Sequence, residues 1–306
     1  MIETEGLTKH FDGFVAVQGV TLSVQPGQVL ALLGPNGAGK TTTVRMLTAI
    51  LQPTAGTARV AGFDVVQHAD RVRAAVGVLT ENHGLYTRMN GTEYLDFFGR
   101  LYGLSAEARR QRPAALAERF GLGDALGRRL GEYSKGMRQK LALVRSMLHD
   151  PPVLLLDEPT SAMDPHSARL VREALRDLRG DGRTIVLCTH NLPEAEELAD
   201  RIAIIRRGEI VIEGTAPQLK TRLLGPPLLE LRLASALDGV AASLADLVTV
   251  ESSGENWLRY RAAEPAATNP RVLQRLAAGG VEVVTLSEVP QSLEAVYLSV
   301  VGDAGG

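Results

Sequence analysis

An apolar run, Val29-Leu30-Ala31-Leu32-Leu33, ends directly in Gly34-Pro35-Asn36-Gly37-Ala38-Gly39-Lys40-Thr41-Thr42, and this junction constrains the fold more than any other feature. A short continuous apolar stretch reads as a strand buried on both faces, the kind found in a parallel sheet covered by helices on each side. Beyond the loop, Val44, Leu47 and Leu51 recur at helical spacing, so the order is strand, glycine loop, helix. Positions Gly34 to Thr41 fit G-x-x-x-x-G-K-[ST]. In that pattern backbone N–H groups wrap phosphates, the lysine reaches the terminal ones and the last hydroxyl ligates Mg2+. Glycine is needed because a side chain would block so close an approach. The candidate phosphate contacts are therefore Asn36, Gly37, Ala38, Gly39, Lys40, Thr41 and Thr42, with Thr41 also a metal ligand.

The same strand signal returns twice. Val153-Leu154-Leu155-Leu156 ends in Asp157-Glu158, and Thr184-Ile185-Val186-Leu187-Cys188 ends at Thr189-His190, with a helix expected between them from about Pro165 to Leu178. Strands alternating with helices predict an α/β fold with a mostly parallel sheet. Ligands of open α/β sheets bind at the carboxyl edge, where Asp157 and Glu158 end their strand. Asp157 reads as a Mg2+ ligand and Glu158 as the general base that polarises an attacking water. A segment at about 85–149 reads as helical. Its clearest element starts at Ser134, a plausible N-cap, and carries Met137, Leu141, Val144 and Leu148 on one face.

After Gly225-Pro226-Pro227 the character changes, and a domain boundary is expected there. The tail reads as strand Leu229 to Leu233, helix Ala236 to Ala245, strands Leu247 to Glu251 and Trp257 to Arg261, helix Pro270 to Ala277, strand Val281 to Leu286 and a last helix, Ser292 to Val301. That β-α-β-β-α-β order is a small ferredoxin-like α+β unit. The expected organisation is a nucleotide-binding domain over 1–222, with a helical subdomain at about 85–149, and an accessory domain over 228–306.

Composition removes other classes. The 306 residues are 45% hydrophobic and 22% charged, ordinary for a folded chain and unlike a disordered one. A net charge of -2 offers no basic signature for nucleic acid, which is not expected as a partner. Cys188 has no second cysteine to pair with and sits in a buried-strand pattern, so it reads as structural. Met1-Ile2-Glu3-Thr4-Glu5 lacks the basic start and apolar stretch of a signal peptide, and no apolar run reaches the length of a membrane span. Direct lipid insertion is thus not expected, and membrane association would come through a partner.

Tyr133-Ser134-Lys135-Gly136-Met137-Arg138-Gln139 resembles the Leu-Ser-Gly-Gly-Gln signature of the ATP-binding cassette (ABC) ATPase family. The order is also similar: P-loop, signature, Asp157-Glu158, then Ser161-Ala162-Met163-Asp164 like a D-loop and Thr189-His190 like a switch histidine. The resemblance implies a P-loop NTPase core, ATP and Mg2+ as ligands, and catalytic roles for Lys40, Glu158 and His190, the last holding the γ-phosphate. It implies a head-to-tail homodimer in which Ser134, Gly136 and Met137 of one copy close over the other copy's nucleotide. Phe11 stands where the family stacks an aromatic ring on adenine, with Phe14 as a rival and Val17 flanking the same base; stacking suits an exposed loop ring better than a strand one. Glu81 stands where the family commonly has a glutamine, either as a Mg2+ ligand facing a permease or as a surface acid.

Lys135 and Met137 replace Gly and Gln of the signature, and Met163 replaces the usual Leu of the D-loop. The Met163 swap keeps a similar volume, whereas Ser134-Lys135-Gly136-Met137, together with Glu81-Asn82-His83-Gly84-Leu85-Tyr86, Leu101-Tyr102-Gly103-Leu104 and the ending Ser292-Leu293-Glu294-Ala295-Val296-Tyr297-Leu298, is similar to the daunorubicin-resistance and bacterial drug-exporter branch. The implied function is the ATPase subunit of an exporter, attached to the cytoplasmic side of the membrane through a separate permease. Soluble ABC ATPases of repair or of ribosomes are the alternative. The former carry long coiled-coil insertions and the latter two cassettes, and neither is seen here. A non-hydrolysing cassette is opposed by the intact Lys40, Glu158 and His190.

Overall fold

Val29–Leu33, Val153–Asp157 and Thr184–Thr189 are buried at every position, as strands covered on both faces must be. They form the middle of a six-stranded sheet whose order is Glu209–Gly214, Arg201–Arg206, Val29–Leu33, Thr184–Thr189, Val153–Asp157, Val76–Leu79. Every pairing is parallel except that of Glu209–Gly214 with Arg201–Arg206. Successive side chains of a strand point to opposite faces. Leu154, Leu156, Ile185 and Leu187 accordingly enter one core with Leu141, Val144 and Leu175. Leu30, Leu32, Leu155, Val186 and Cys188 enter a second core with Val44, Leu47 and Val20.

The computed structural model describes residues 1–80, 84–161, 163–237 and 239–301. It divides into two compact units, Met1–Ala216 and Pro217–Gly306. The division falls earlier than the expected boundary, because Gly225-Pro226-Pro227 terminates the helix Ala216–Leu224 rather than the first unit.

In the first unit, a four-stranded antiparallel sheet of Phe14–Val24, Ile2–Phe11, Ala55–Val60 and Phe63–Asp64 adds its apolar residues to the second core. The helix after the glycine loop spans Lys40–Leu47 and stops short of Leu51, since Ala49 takes a left-handed φ of 54° that no helix continues through. The segment expected to be helical holds Gly91–Leu101, Ala106–Arg119 and Lys135–Met147. Each starts at a side-chain cap, Asn90, Ser105 and Ser134 respectively, which satisfies first-turn N–H groups.

In the second unit the sheet order is Val250–Ser253, Trp257–Arg261, Leu228–Leu233, Val283–Glu288, all antiparallel, the ferredoxin-like arrangement. Its core joins Leu229, Leu231, Leu258 and Tyr260 to Val272 and Leu276 of the helix Pro265–Ala278. Two helices depart from the sequence expectation. The one expected over Ala236 to Ala245 is Val240–Ser243, starting only after Gly239 at φ 71°. The one expected from Pro270 starts instead at Pro265, where a missing N–H costs nothing.

Candidate active site

The loop at the carboxyl end of Val29–Leu33 needs glycine at specific points. Gly39 caps the helix Lys40–Leu47 at φ 110°, and a Cβ there would meet the Ala16 carbonyl at 2.7 Å. At Gly34 a Cβ would come within 2.3 Å of the Ile205 carbonyl. Gly37 is also left-handed, at φ 79°. Asn36 and Gly37 are exposed, Ala38 is buried, and Thr41 and Thr42 lie in the first helical turn, whose free N–H groups suit an anion. Lys40 folds back across the loop, and its Nζ donates to the carbonyls of Gly34 at 2.6 Å and Pro35 at 3.1 Å.

Parallel strand direction delivers the other groups to the same edge. Thr41 Oγ1 donates to Asp157 Oδ2 at 3.1 Å. Glu158 follows at φ 52°, a conformation that costs a non-glycine residue about 1–3 kcal/mol and that re-aims its side chain. Hydrogen bonds hold it there. Glu158 N donates to the Cys188 carbonyl at 2.8 Å, and the Glu158 carbonyl accepts from Gln139 Nε2 at 2.7 Å and Ser161 Oγ at 2.9 Å. The Glu158 carboxylate accepts the His190 backbone N–H at 3.1 Å and lies 2.7 Å from His190 Nδ1. The His190 side chain is 72% exposed. Burial, reinforced by the Asp157 charge, pushes the Cys188 thiol up, so it stays protonated and structural.

The remaining candidates fall elsewhere. Ser134 caps the helix Lys135–Met147 with Met137 N donating to its Oγ at 3.2 Å. No hydrogen bond among the described residues joins Ser134, Gly136 or Met137 to the loop at 34–42. Phe11 and Phe14 are cross-strand partners at the ends of Ile2–Phe11 and Phe14–Val24, 47% and 60% exposed. The expected difference between a loop ring and a strand ring is therefore not there. Val17, expected beside the base, is fully buried and lies under the loop, its Cγ2 3.3 Å from where a Gly39 Cβ would be. Glu81, expected as a metal ligand, lies outside the described residues, as does Ala162 of the D-loop. Gln139, buried and bonded to Glu158, escaped the sequence reading because it lies off the Met137, Leu141, Val144 face.

Residues 17–161 match the model of the ABC transporter family. A daunorubicin/doxorubicin resistance ATP-binding protein of Streptomyces peucetius is 41% identical over 310 residues, which cover 98% of this chain and 92% of that protein. The chain belongs to the ABC transporter ATP-binding family. A Nod factor export ATP-binding protein I of Ralstonia nicotianae is 36% identical to this ABC subunit, over 99% of the chain and 94% of its own length. A solved ATP-binding subunit of an ABC transporter aligns with a TM-score of 0.69 at 28% identity, over 74% of this chain and 94% of that one. A dimeric cassette bound to ADP and Pi shares the fold at a TM-score of 0.65 and 24% identity, over 70% of this chain and 98% of that one. This ABC subunit binds ATP and is an ATPase.

Proposed function

We propose that this chain powers a separate membrane permease of an exporter, and that two copies close head to tail around ATP and reopen after hydrolysis. One observation carries the reading. Lys40, Thr41, Asp157, Glu158 and His190 meet at one sheet edge; no hydrogen bond among the described residues joins Ser134, Gly136 or Met137 to the phosphate loop, and in this reading their helix start serves another copy's nucleotide. The proposed cargo is a drug, an antibiotic or a lipid-like molecule, a reading supported by relatives named for daunorubicin/doxorubicin resistance and for Nod factor export. In this reading the subunit works from the cytoplasmic face through its permease; no helix of the described residues is long and apolar enough to cross a membrane.

In this reading Lys40 Nζ exchanges the Gly34 and Pro35 carbonyls for the terminal phosphates. Thr41 and Asp157 present a hydroxyl and a carboxylate to each other, an oxygen-only pair that suits Mg2+ beside phosphates. The ion would neutralise charge on the phosphate oxygens. Glu158 accepts a proton from the attacking water. His190 turns from the Glu158 carboxylate to the γ-phosphate, a movement its exposed ring permits. Phe11, or Phe14 across the turn, stacks on the adenine. Closure by the second copy would exclude bulk water and strengthen every charge interaction inside.

The test is Glu158→Gln in the complex purified from membranes. ATP hydrolysis is expected to fall by about 10²–10⁴ while ATP stays bound and the dimer accumulates in light scattering. Hydrolysis near the wild-type rate would remove Glu158 from its role. Absence of a copurifying protein with apolar stretches of about 20 residues would remove the transporter reading.

A further inference from the structure

Behind the Glu158–His190 pair lies a buried carboxylate that the hydrolysis scheme leaves unused. Glu194 is 2% exposed. Burial pushes its carboxyl above the usual carboxylate range, partly countered by two hydroxyls that bond it. Glu194 stands in the first turn of Leu192–Leu198, and its N–H donates to the capping Asn191 side chain at 3.2 Å. A glutamate at this place commonly reaches back to the cap residue's own N–H. Here that N–H donates instead to Thr189 Oγ1 at 3.0 Å, which leaves the carboxylate to turn inward.

Both inward bonds end next to the site. Glu194 Oε1 accepts Thr160 Oγ1 at 2.7 Å, and Oε2 accepts Thr189 Oγ1 at 2.9 Å. Thr189 directly precedes His190, and Thr160 belongs to the turn that Glu158 opens. Gln139 also holds that turn, through the Glu158 carbonyl. For packing alone an apolar side chain would serve at lower cost than a carboxylate. What the carboxylate adds is a pair of directional bonds, accepted by one group from Thr160 in the turn and from Thr189 at the end of its strand.

We propose that Glu194 is a positioning residue for ATP hydrolysis: by accepting the Thr160 and Thr189 hydroxyls it keeps Glu158 and His190 in register. The inference rests on the role given to Glu158 above. Misplacing a reacting group by about 1 Å costs up to about 10²-fold in rate. Glu194→Ala in the full chain should therefore lower kcat by about tenfold or more. KM and ATP affinity by direct titration should stay within about twofold, since no hydrogen bond among the described residues joins either threonine to the phosphate loop. Glu194→Gln keeps the shape and one acceptor oxygen and should restore a large part of the rate. Thr160→Val, which is close in shape to the native residue, should lower kcat alone and add little in the Glu194→Ala background, as residues of one network do. The idea is overturned if kcat of Glu194→Ala and Thr160→Val stays within about twofold of wild type, or if kcat, KM and melting temperature decline together with no rescue by Gln. Glu158→Gln measured alongside separates the two failures. If it is inactive while the Glu194 and Thr160 variants turn over normally, only the positioning role falls; if it is active, the role of Glu158 itself falls.

Discussion

Gly39 meets two demands at once, a backbone at φ 110° and a carbonyl 2.7 Å from where a Cβ would sit. Alanine there must both accept the strained conformation and displace the Ala16 segment. Gly39→Ala is expected to destabilise the fold by about 1–3 kcal/mol. It should weaken ATP binding by more than the stability loss explains, because the loop N–H groups would no longer converge. Thermal melts and nucleotide titration on the same preparation check this. Glu158 shows the opposite use of strain: its left-handed backbone is held by bonds from Gln139, Ser161 and to Cys188, and the same twist turns its carboxylate toward His190.

Between elements, His149 ties the end of the signature helix to the sheet. Its Nε2 lies 3.0 Å from the Val76 carbonyl, so that nitrogen carries the proton, and its ring stacks on Tyr102 at 4.2 Å. Nδ1 is buried without a partner among the described residues. Burial holds the His149 pKa below its ordinary value, so the unfolded chain binds the proton more readily than the folded one. Stability contributed by the neutral ring is present above about pH 6.5 and is lost as pH falls toward the depressed folded value. His149→Gln should flatten that acid-side slope in urea titrations run at several pH values. An unchanged slope would assign the sensitivity to other groups.

At the level of the whole molecule, the signature and the phosphate loop belong to different elements that share no bond among the described residues. In a head-to-tail dimer each site draws its loop from one copy and its signature from the other. Lys40→Ala and Ser134→Arg should each abolish hydrolysis alone. Mixing them builds one complete site in each mixed dimer, so activity should recover to at most about a quarter of wild type if copies exchange freely. No recovery after exchange, verified by tagged copies, would contradict the shared site.

Much of this was legible along the chain. A strand buried on both faces needs apolar residues at every position, so Val29–Leu33, Val153–Asp157 and Thr184–Thr189 announce a parallel sheet, and their common direction forces the residues that follow them to one edge. The β-α-β-β-α-β order of the second unit was readable for the same reason, from periodicity and punctuation. Partners that approach from distant segments were not readable. Val17 as a floor under the loop, the pairing of Phe11 with Phe14 across a turn, and the bonds from Gln139 and Glu194 all depend on where other elements pack. Local chemistry is degenerate at such points: Asn191 to Glu194 spells an ordinary helix start, and only the packed structure turns its carboxylate toward two threonines.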